Sequence, residues 1–196
     1  MADGSVILTE SSMAEPRMMW DMEERLRLDG RGSMFSESAW FDHVEHVAAT
    51  LDVGPGTRVW DVTCGSGSFL WPLAQNGYIV GGSDSSIELI SLARVAMPSG
   101  RFVATPPWAV DPADPCDVVV ASRGFRDCTS ADQQRGMVAR MLAKSTHAVA
   151  FLDIDEDDDA AGVDRVRLFR MLAELGAGGV QFEHDAAGRL MAFVKV

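Results

Sequence analysis

From Arg58 onward, short apolar runs alternate with segments of helical spacing, and this alternation restricts the fold more than any other feature. "RVWDV" (58–62), "YIVGGSD" (78–84), "RFVA" (101–104), "DVVVAS" (117–122) and "AVAFLDI" (148–154) read as strands. Helices fall between them, near 68–76 before Gly77, from Ser85 to about Met97, and from Ser130 through Met141 and Leu142. Ser85 with Glu88, and Ser130 with Gln133, have the spacing of capping boxes. A later helix carries Val163, Val166, Phe169, Leu172 and Leu175 as its apolar face. The last two strands, "VQFEH" (180–184) and "LMAFVKV" (190–196), flank a hairpin turn over Asp185–Gly188. Strands joined through helices run parallel with helices on both faces, whereas a strand–turn–strand pair runs antiparallel. The expected fold class is therefore α/β. It is a three-layer α/β/α sandwich on a mostly parallel seven-stranded sheet, with an antiparallel C-terminal strand pair.

Upstream, Pro16 suits the first turn of a helix carrying Met19, Met22 and Leu26, ending before Gly30. "GRGSMFSES" (30–38) is a connector, and a second helix places Trp40, Val44, Val47 and Leu51 on one face. The chain divides into an N-terminal arm, 1–35, and one domain, 36–196.

Composition removes several functions. The net charge of −12 argues against a nucleic-acid partner, since phosphate binding needs a basic face. No apolar run approaches the roughly 20 residues that span a bilayer, so no membrane partner is expected. The opening "MADGSVILTESSMAEP" has no basic region, so no signal peptide is expected. Cys64, Cys116 and Cys128 form no CxxC pair, and reduced thiols point to the cytoplasm. "DIDEDDD" (153–159) lacks the Gly and Glu of a calcium loop and reads as a solvated acidic segment; no metal site is expected.

In a parallel sheet of this kind, ligands bind beyond the carboxyl ends of the strands, at the switch point. That places a ligand at residues 61–67, 84–85, 104–108 and 122–125. There "VWDVTCGSGSF" (59–69) runs from strand to glycine turn. Gly65 and Gly67 accept positive φ and let a ligand approach the backbone, and the following helix start favours a carboxylate or phosphate. Asp84, about 20 residues further on, is spaced to accept both hydroxyls of a ribose. The alternative role for Asp84 is a helix cap within "SDSS".

This order of parts resembles the class I S-adenosylmethionine-dependent methyltransferases over roughly residues 40–196. "PGTRVWDVTCGSG" is similar to the family's first motif, a Pro-Gly turn, a strand ending in an acid, and a GxGxG loop. Asp61 matches the acid, Gly65 and Gly67 match the second and third glycines, and Asp84 matches the ribose acid. The resemblance implies a Rossmann-like fold and S-adenosylmethionine as cofactor. It would be held by Asp61, Thr63, Cys64, Gly65, Ser66, Gly67, Asp84, Ser85, Thr105, Pro106 and Ser122. A nicotinamide site wants GxGxxG, whereas Ser68-Phe69-Leu70 follows Gly67 here.

The sequence departs from that family at two places. Thr63 stands at the first glycine, where a β-branched residue resists positive φ, so the turn must be ordinary, with the hydroxyl available to a nearby backbone group. "ATPPWAVD" follows the third strand without the acid that faces adenine in the family, leaving Thr105, Pro106 or Trp108, or a loop simply anchored in the core. "TPPW" also resembles the catalytic signature of adenine-N6 DNA methylases, but that signature follows the fourth strand. Here Ser122-Arg123-Gly124-Phe125 holds that slot.

Methyl transfer from a sulfonium needs alignment more than acid–base help, and no catalytic residue is identified. Arg123 and Asp127 follow the fourth strand, where acceptor-facing groups sit in this family. His43 and His46 read as partly exposed helix residues or as candidate bases, and Cys128 as structural. The arm resembles a lid, with Trp20, Arg31 and Phe35 as candidate acceptor contacts. The expected acceptor is a small molecule, in a pocket that is small, open or completed by a second subunit of a homodimer. The rival readings are a cofactor-binding pseudoenzyme or regulatory subunit, and an NAD-linked enzyme.

Overall fold

Residues 21–30, 36–154, 163–185 and 188–196 are described by the structure, a computed structural model. Seven strands form one sheet: β1 (Arg58–Asp61), β2 (Ile79–Asp84), β3 (Arg101–Ala104), β4 (Cys116–Ala121), β5 (Ser145–Ile154), β6 (Val180–His184) and β7 (Leu190–Lys195). Their order is β3-β2-β1-β4-β5-β7-β6. The first five run parallel, and β7 lies antiparallel between β5 and β6. The expected seven-stranded sheet with its reversed C-terminal pair is what forms. Trp20, Arg31 and Phe35 of the arm lie outside the described residues, as do Pro16, Met19 and residues 155–159 of the acidic run.

Six helices among the described residues pack on the sheet: α1 (Met22–Leu28), α2 (Glu37–Thr50), α3 (Leu70–Gln75), α4 (Ile87–Ala96), α5 (Ala131–Lys144) and α6 (Arg165–Glu174). β4 shows why the sandwich has two cores. Side chains alternate across a strand, and all four residues Val118–Ala121 are fully buried. Val118 and Val120 join Leu26, Trp40, Val44, Leu70 and Ile90 on one face. Val119 and Ala121 join Met137, Met141, Leu168 and Leu172 on the other. No helix among the described residues is long and apolar enough to cross a membrane.

Local chemistry moved several boundaries. Asp21 caps α1, its side chain accepting from the Glu23 amide. Ser86, not Ser85, caps α4, accepting from the Leu89 amide at 3.2 Å. Ser130 caps α5 as expected, but Gln133 turns back to the Thr129 amide rather than closing a box. β5 starts three residues before the apolar run, because the Ser145 hydroxyl bonds the Asp117 and Ala148 carbonyls.

The apolar face expected for α6 holds at Val163, Leu172 and Leu175 but fails between them. Val166 and Phe169 are 64% and 57% exposed, while Leu168, Met171 and Leu172 are buried. A strict i, i+3 series drifts about 60° per step on a helix with 100° per residue. The i, i+3, i+4 set at 168, 171 and 172 stays on one side, and each such side chain contributes about 1.5–3 kcal/mol when fully buried.

Candidate functional site

β1 sits centrally in the parallel strands, its Asp61 level with Gly82 of β2 and Val120 of β4. The chain beyond it therefore emerges between the ends of its two neighbours. Gly82 is required there, because a Cβ at that position would lie 2.7 Å from Cys64 Cβ and 2.9 Å from the Asp61 carbonyl oxygen. The turn folds onto β2 and is tied down by the Cys64 amide, which donates to the Ser83 carbonyl at 2.9 Å.

Asp61 is fully buried. Its Oδ1 accepts from the Thr63 amide at 2.9 Å, the Thr63 hydroxyl at 3.3 Å and the Ser122 amide at 3.3 Å. Thr63 keeps an ordinary φ, since Asp52 is the only non-glycine at positive φ among the described residues. Its Oγ1 also accepts from the Arg123 amide at 3.0 Å. The hydroxyl thus ties the β1 turn to the segment after β4. Ser122 completes the tie by donating its hydroxyl to the Thr63 carbonyl at 3.3 Å. Ser122 and Thr63 are buried braces in this arrangement.

Gly65 and Gly67 take the positive φ values of 56° and 90° that the loop requires. The Gly65 amide donates to Asp84 Oδ2, and the Ser86 amide to Asp84 Oδ1, both at 2.9 Å. Asp84 therefore braces its own turn and reaches across to the loop. Each carboxylate oxygen has two lone-pair positions, so both retain capacity for a hydroxyl. Over this acid lies Arg123, with Nη1 3.9 Å from Asp84 Oδ2 and Nη2 3.8 Å from Asp127 Oδ1. Burial raises the Asp127 carboxyl above its usual range; the Arg123 charge opposes this and that of Asp84 adds to it.

Beside Asp84, Ser85 is exposed, and Thr105 and Pro106 are half-buried at the end of β3. The Thr105 amide donates to the Asp84 carbonyl at 2.9 Å. Pro107 is buried in a short 3-10 turn, and Trp108 packs against the core, its carbonyl accepting from Arg140. Trp108 is thus an anchor, while Thr105 and Pro106 face the rim.

Two residues at the loop escaped the sequence reading. Asp29 caps the C-terminal end of α1. Its Oδ1 accepts from the Ser66 amide at 2.7 Å and its Oδ2 from the Ser68 amide at 3.3 Å. Arg25, one turn earlier, donates to the Ser66 carbonyl. Both side chains are buried. Burial pushes the Arg25 guanidinium down, and the Asp29 charge opposes this. The missed signal was an acid at a helix C-terminus, where the macrodipole disfavours negative charge unless something else holds it.

The remaining candidates are structural or lie apart from the loop. Burial pushes the Cys64 thiol well up and that of Cys128 to about 11, with nearby acids adding to both, so neither is an activated nucleophile. His46 is half exposed beside Glu183, as expected for a surface histidine. His43 departs from that expectation. It is buried, stacked on Trp40, and its Nδ1 is 3.5 Å from Asp185 Oδ2. Among the described residues, no three His, Cys, Asp or Glu side chains are grouped to hold a metal ion.

The strand order and the reversed β7 are those of the Rossmann-like fold of class I S-adenosylmethionine-dependent methyltransferases. Three solved structures share it over nearly the whole chain. Magnesium protoporphyrin IX methyltransferase (ChlM) from Synechocystis PCC 6803, with bound SAM, aligns at TM-score 0.66 and 16% identity, covering 97% of this chain and 99% of that one. CalS10, a SAM-bound amino pentose methyltransferase from Micromonospora echinaspora, aligns at 0.68 and 18%, covering 98% and 99%. The N-methyltransferase NodS from Bradyrhizobium japonicum WM9, with S-adenosylhomocysteine, aligns at 0.66 and 15%, covering 95% and 98%. In sequence, 64 residues are 39% identical to the 23S rRNA (uracil(1939)-C(5))-methyltransferase RlmD of Thiobacillus denitrificans (strain ATCC 25259 / T1). That match takes in 30% of this chain and spans 15% of the curated relative. No protein-family model matches.

Proposed function

We propose that this protein is an S-adenosylmethionine-dependent methyltransferase of the cytoplasm that acts on a small-molecule acceptor. The observation that carries the reading is Asp84, held across the glycine loop by the Gly65 and Ser86 amides with a lone pair left on each oxygen. A carboxylate so fixed suits the two hydroxyls of a ribose. The SAM- and S-adenosylhomocysteine-bound proteins of the same fold support the cofactor. The net charge of −12 favours a small acceptor over RNA, and free thiols at all three cysteines fit a reducing compartment.

The bound cofactor supplies a methyl group on a sulfonium, which leaves as a neutral thioether and needs no proton. The chain's task is to orient and to exclude water. Asp84 would hold the ribose and Gly65 would let the amino-acid portion lie against the backbone, while Gly67 lets the loop pack against Ala93 and Met97. Ser85, Thr105 and Pro106 border the adenine side. Arg123 lies between Asp84 and Asp127, and with a ribose on Asp84 it would pair with Asp127 on the acceptor side. Asp127, its carboxyl raised by burial, accepts a proton where the acceptor must lose one. The acceptor pocket would be completed by a second subunit in a homodimer.

A cofactor-binding protein without turnover is the second reading, favoured by Arg123 lying over the ribose acid. Thermal unfolding with S-adenosylmethionine, S-adenosylhomocysteine and NAD tests the first step. A ligand at 100 times its Kd stabilises by about 2.7 kcal/mol. A shift with NAD alone would overturn both readings. Adenosyl binding without turnover across a broad acceptor panel would select the second.

A further inference from the structure

The two loop amides best placed for an anionic ligand are already taken. Asp29 spans the Ser66 and Ser68 amides, and it lies so close to Gly65 that a Cβ there would be 2.4 Å from Oδ1. Asp84 takes the preceding amide, that of Gly65. Two buried carboxylates therefore flank one glycine, on consecutive backbone N–H groups. A ligand with its ribose on Asp84 that continued past Gly65 would meet Asp29 next.

Among the described residues, the charges at this edge are unequal: Asp29, Asp61, Asp84 and Asp127 bring four carboxylates against the guanidinium groups of Arg25 and Arg123. Backbone amides hold a carboxylate without neutralising it. A phosphate or carboxylate arriving at Ser66 would find its donors occupied and a like charge in place, whereas an ammonium group would find its complement. We propose that Asp29 is a specificity-determining residue that turns this glycine loop from an anion site into a cation site, holding the α-ammonium of the cofactor's amino-acid end. The proposal rests on the adenosyl-cofactor reading above and names what α1 contributes to it.

The test compares three ligands by equilibrium titration: S-adenosylhomocysteine, the same thioether with its ammonium replaced by hydrogen, and ADP. Wild-type protein should prefer S-adenosylhomocysteine to the deaminated thioether by about tenfold or more, the scale of one charged hydrogen bond. Asp29→Asn should shrink that preference to about threefold or less and raise the affinity for ADP. Asp29→Ser, which keeps an oxygen for a loop amide, should behave alike, so a folding defect in one variant does not decide the result. A wild type indifferent to the ammonium would overturn the proposal. So would variants that weaken both thioethers in parallel, which is the signature of a capping role alone. Failure of the wild type to bind S-adenosylhomocysteine at all would instead overturn the cofactor reading beneath it.

Discussion

The carboxyl edge of the sheet has two rims that hold buried acids in opposite ways. At the loop after β1, Asp61, Asp84 and Asp29 are held by backbone amides, those of Thr63 and Ser122, Gly65 and Ser86, and Ser66 and Ser68. At the β6–β7 hairpin, Asp185 Oδ2 accepts from Arg189 Nε at 2.8 Å and Nη2 at 2.6 Å with His43 Nδ1 3.5 Å from the same oxygen, and a backbone amide, that of Arg189, serves only Oδ1. Amide dipoles stabilise a carboxylate and leave its charge in place; a guanidinium cancels it. The first arrangement makes a site with a negative field. The second makes a joint that pins α2 to the hairpin and has little charge left to offer a ligand.

Removing Asp61 should have the largest effect, because the Thr63 and Ser122 amides are then buried without an acceptor. Asp61→Ala should lose about 3–5 kcal/mol in urea unfolding, and adenosyl binding with it. Asp185→Ala should cost about 2–3 kcal/mol by the same measurement yet leave S-adenosylhomocysteine affinity within about twofold. A large loss of affinity there would break the distinction between site and joint.

The joint also has a pH signature. Burial works to raise the Asp185 carboxyl, but the hydrogen bonds and charge of Arg189 and the charge of His43 outweigh it and leave it below its usual value. A depressed folded value means stability that is full above the ordinary carboxylate range and is lost as pH falls through the folded value. The destabilisation of Asp185→Asn relative to wild type should therefore be greatest near neutrality and shrink below about pH 4. A difference that stays constant to pH 2.5 would remove the ion pair from the account.

Asp84→Asn should come next, with about a tenfold loss of adenosyl affinity and roughly 1 kcal/mol of stability, because one oxygen remains for an amide. Unchanged affinity would leave Asp84 a turn-bracing residue only, placing it with the joint rather than the site.

What was legible in the sequence followed period and spacing. β4 announced itself as an unbroken apolar run, and Asp84 by its distance from Gly65. The α6 face was misread because a series of five apolar residues at i+3 looked like a stripe while circling the helix. His43 looked like a surface residue because its burial depends on Asp185 and Arg189, about 140 residues away, which no local pattern reports. Asp29 carried one local sign, an acid at the C-terminal end of a helix, but what holds it there was not legible, since its partners Ser66 and Ser68 are 37 and 39 residues further on.

Thr63 gives the smallest effect on affinity and the finest test of the loop rim. In place of a glycine with positive φ, the chain uses a hydroxyl that donates to Asp61 and accepts from the Arg123 amide. Thr63→Val keeps the shape and removes the hydroxyl, and should cost about 1 kcal/mol with a loss of a few-fold in adenosyl affinity. Thr63→Ser keeps the hydroxyl and should stay close to wild type. Thr63→Gly restores the residue of the resembling motif but loses the hydroxyl and adds backbone freedom to the unfolded chain, so it should be less stable than the valine variant by about 0.5–1 kcal/mol. Urea midpoints for the three variants order the effects. If glycine instead matches or exceeds wild type in stability and affinity, the hydroxyl is not what shapes this turn, and the tie between the β1 loop and the β4 segment lies with Ser122 and Asp61 alone.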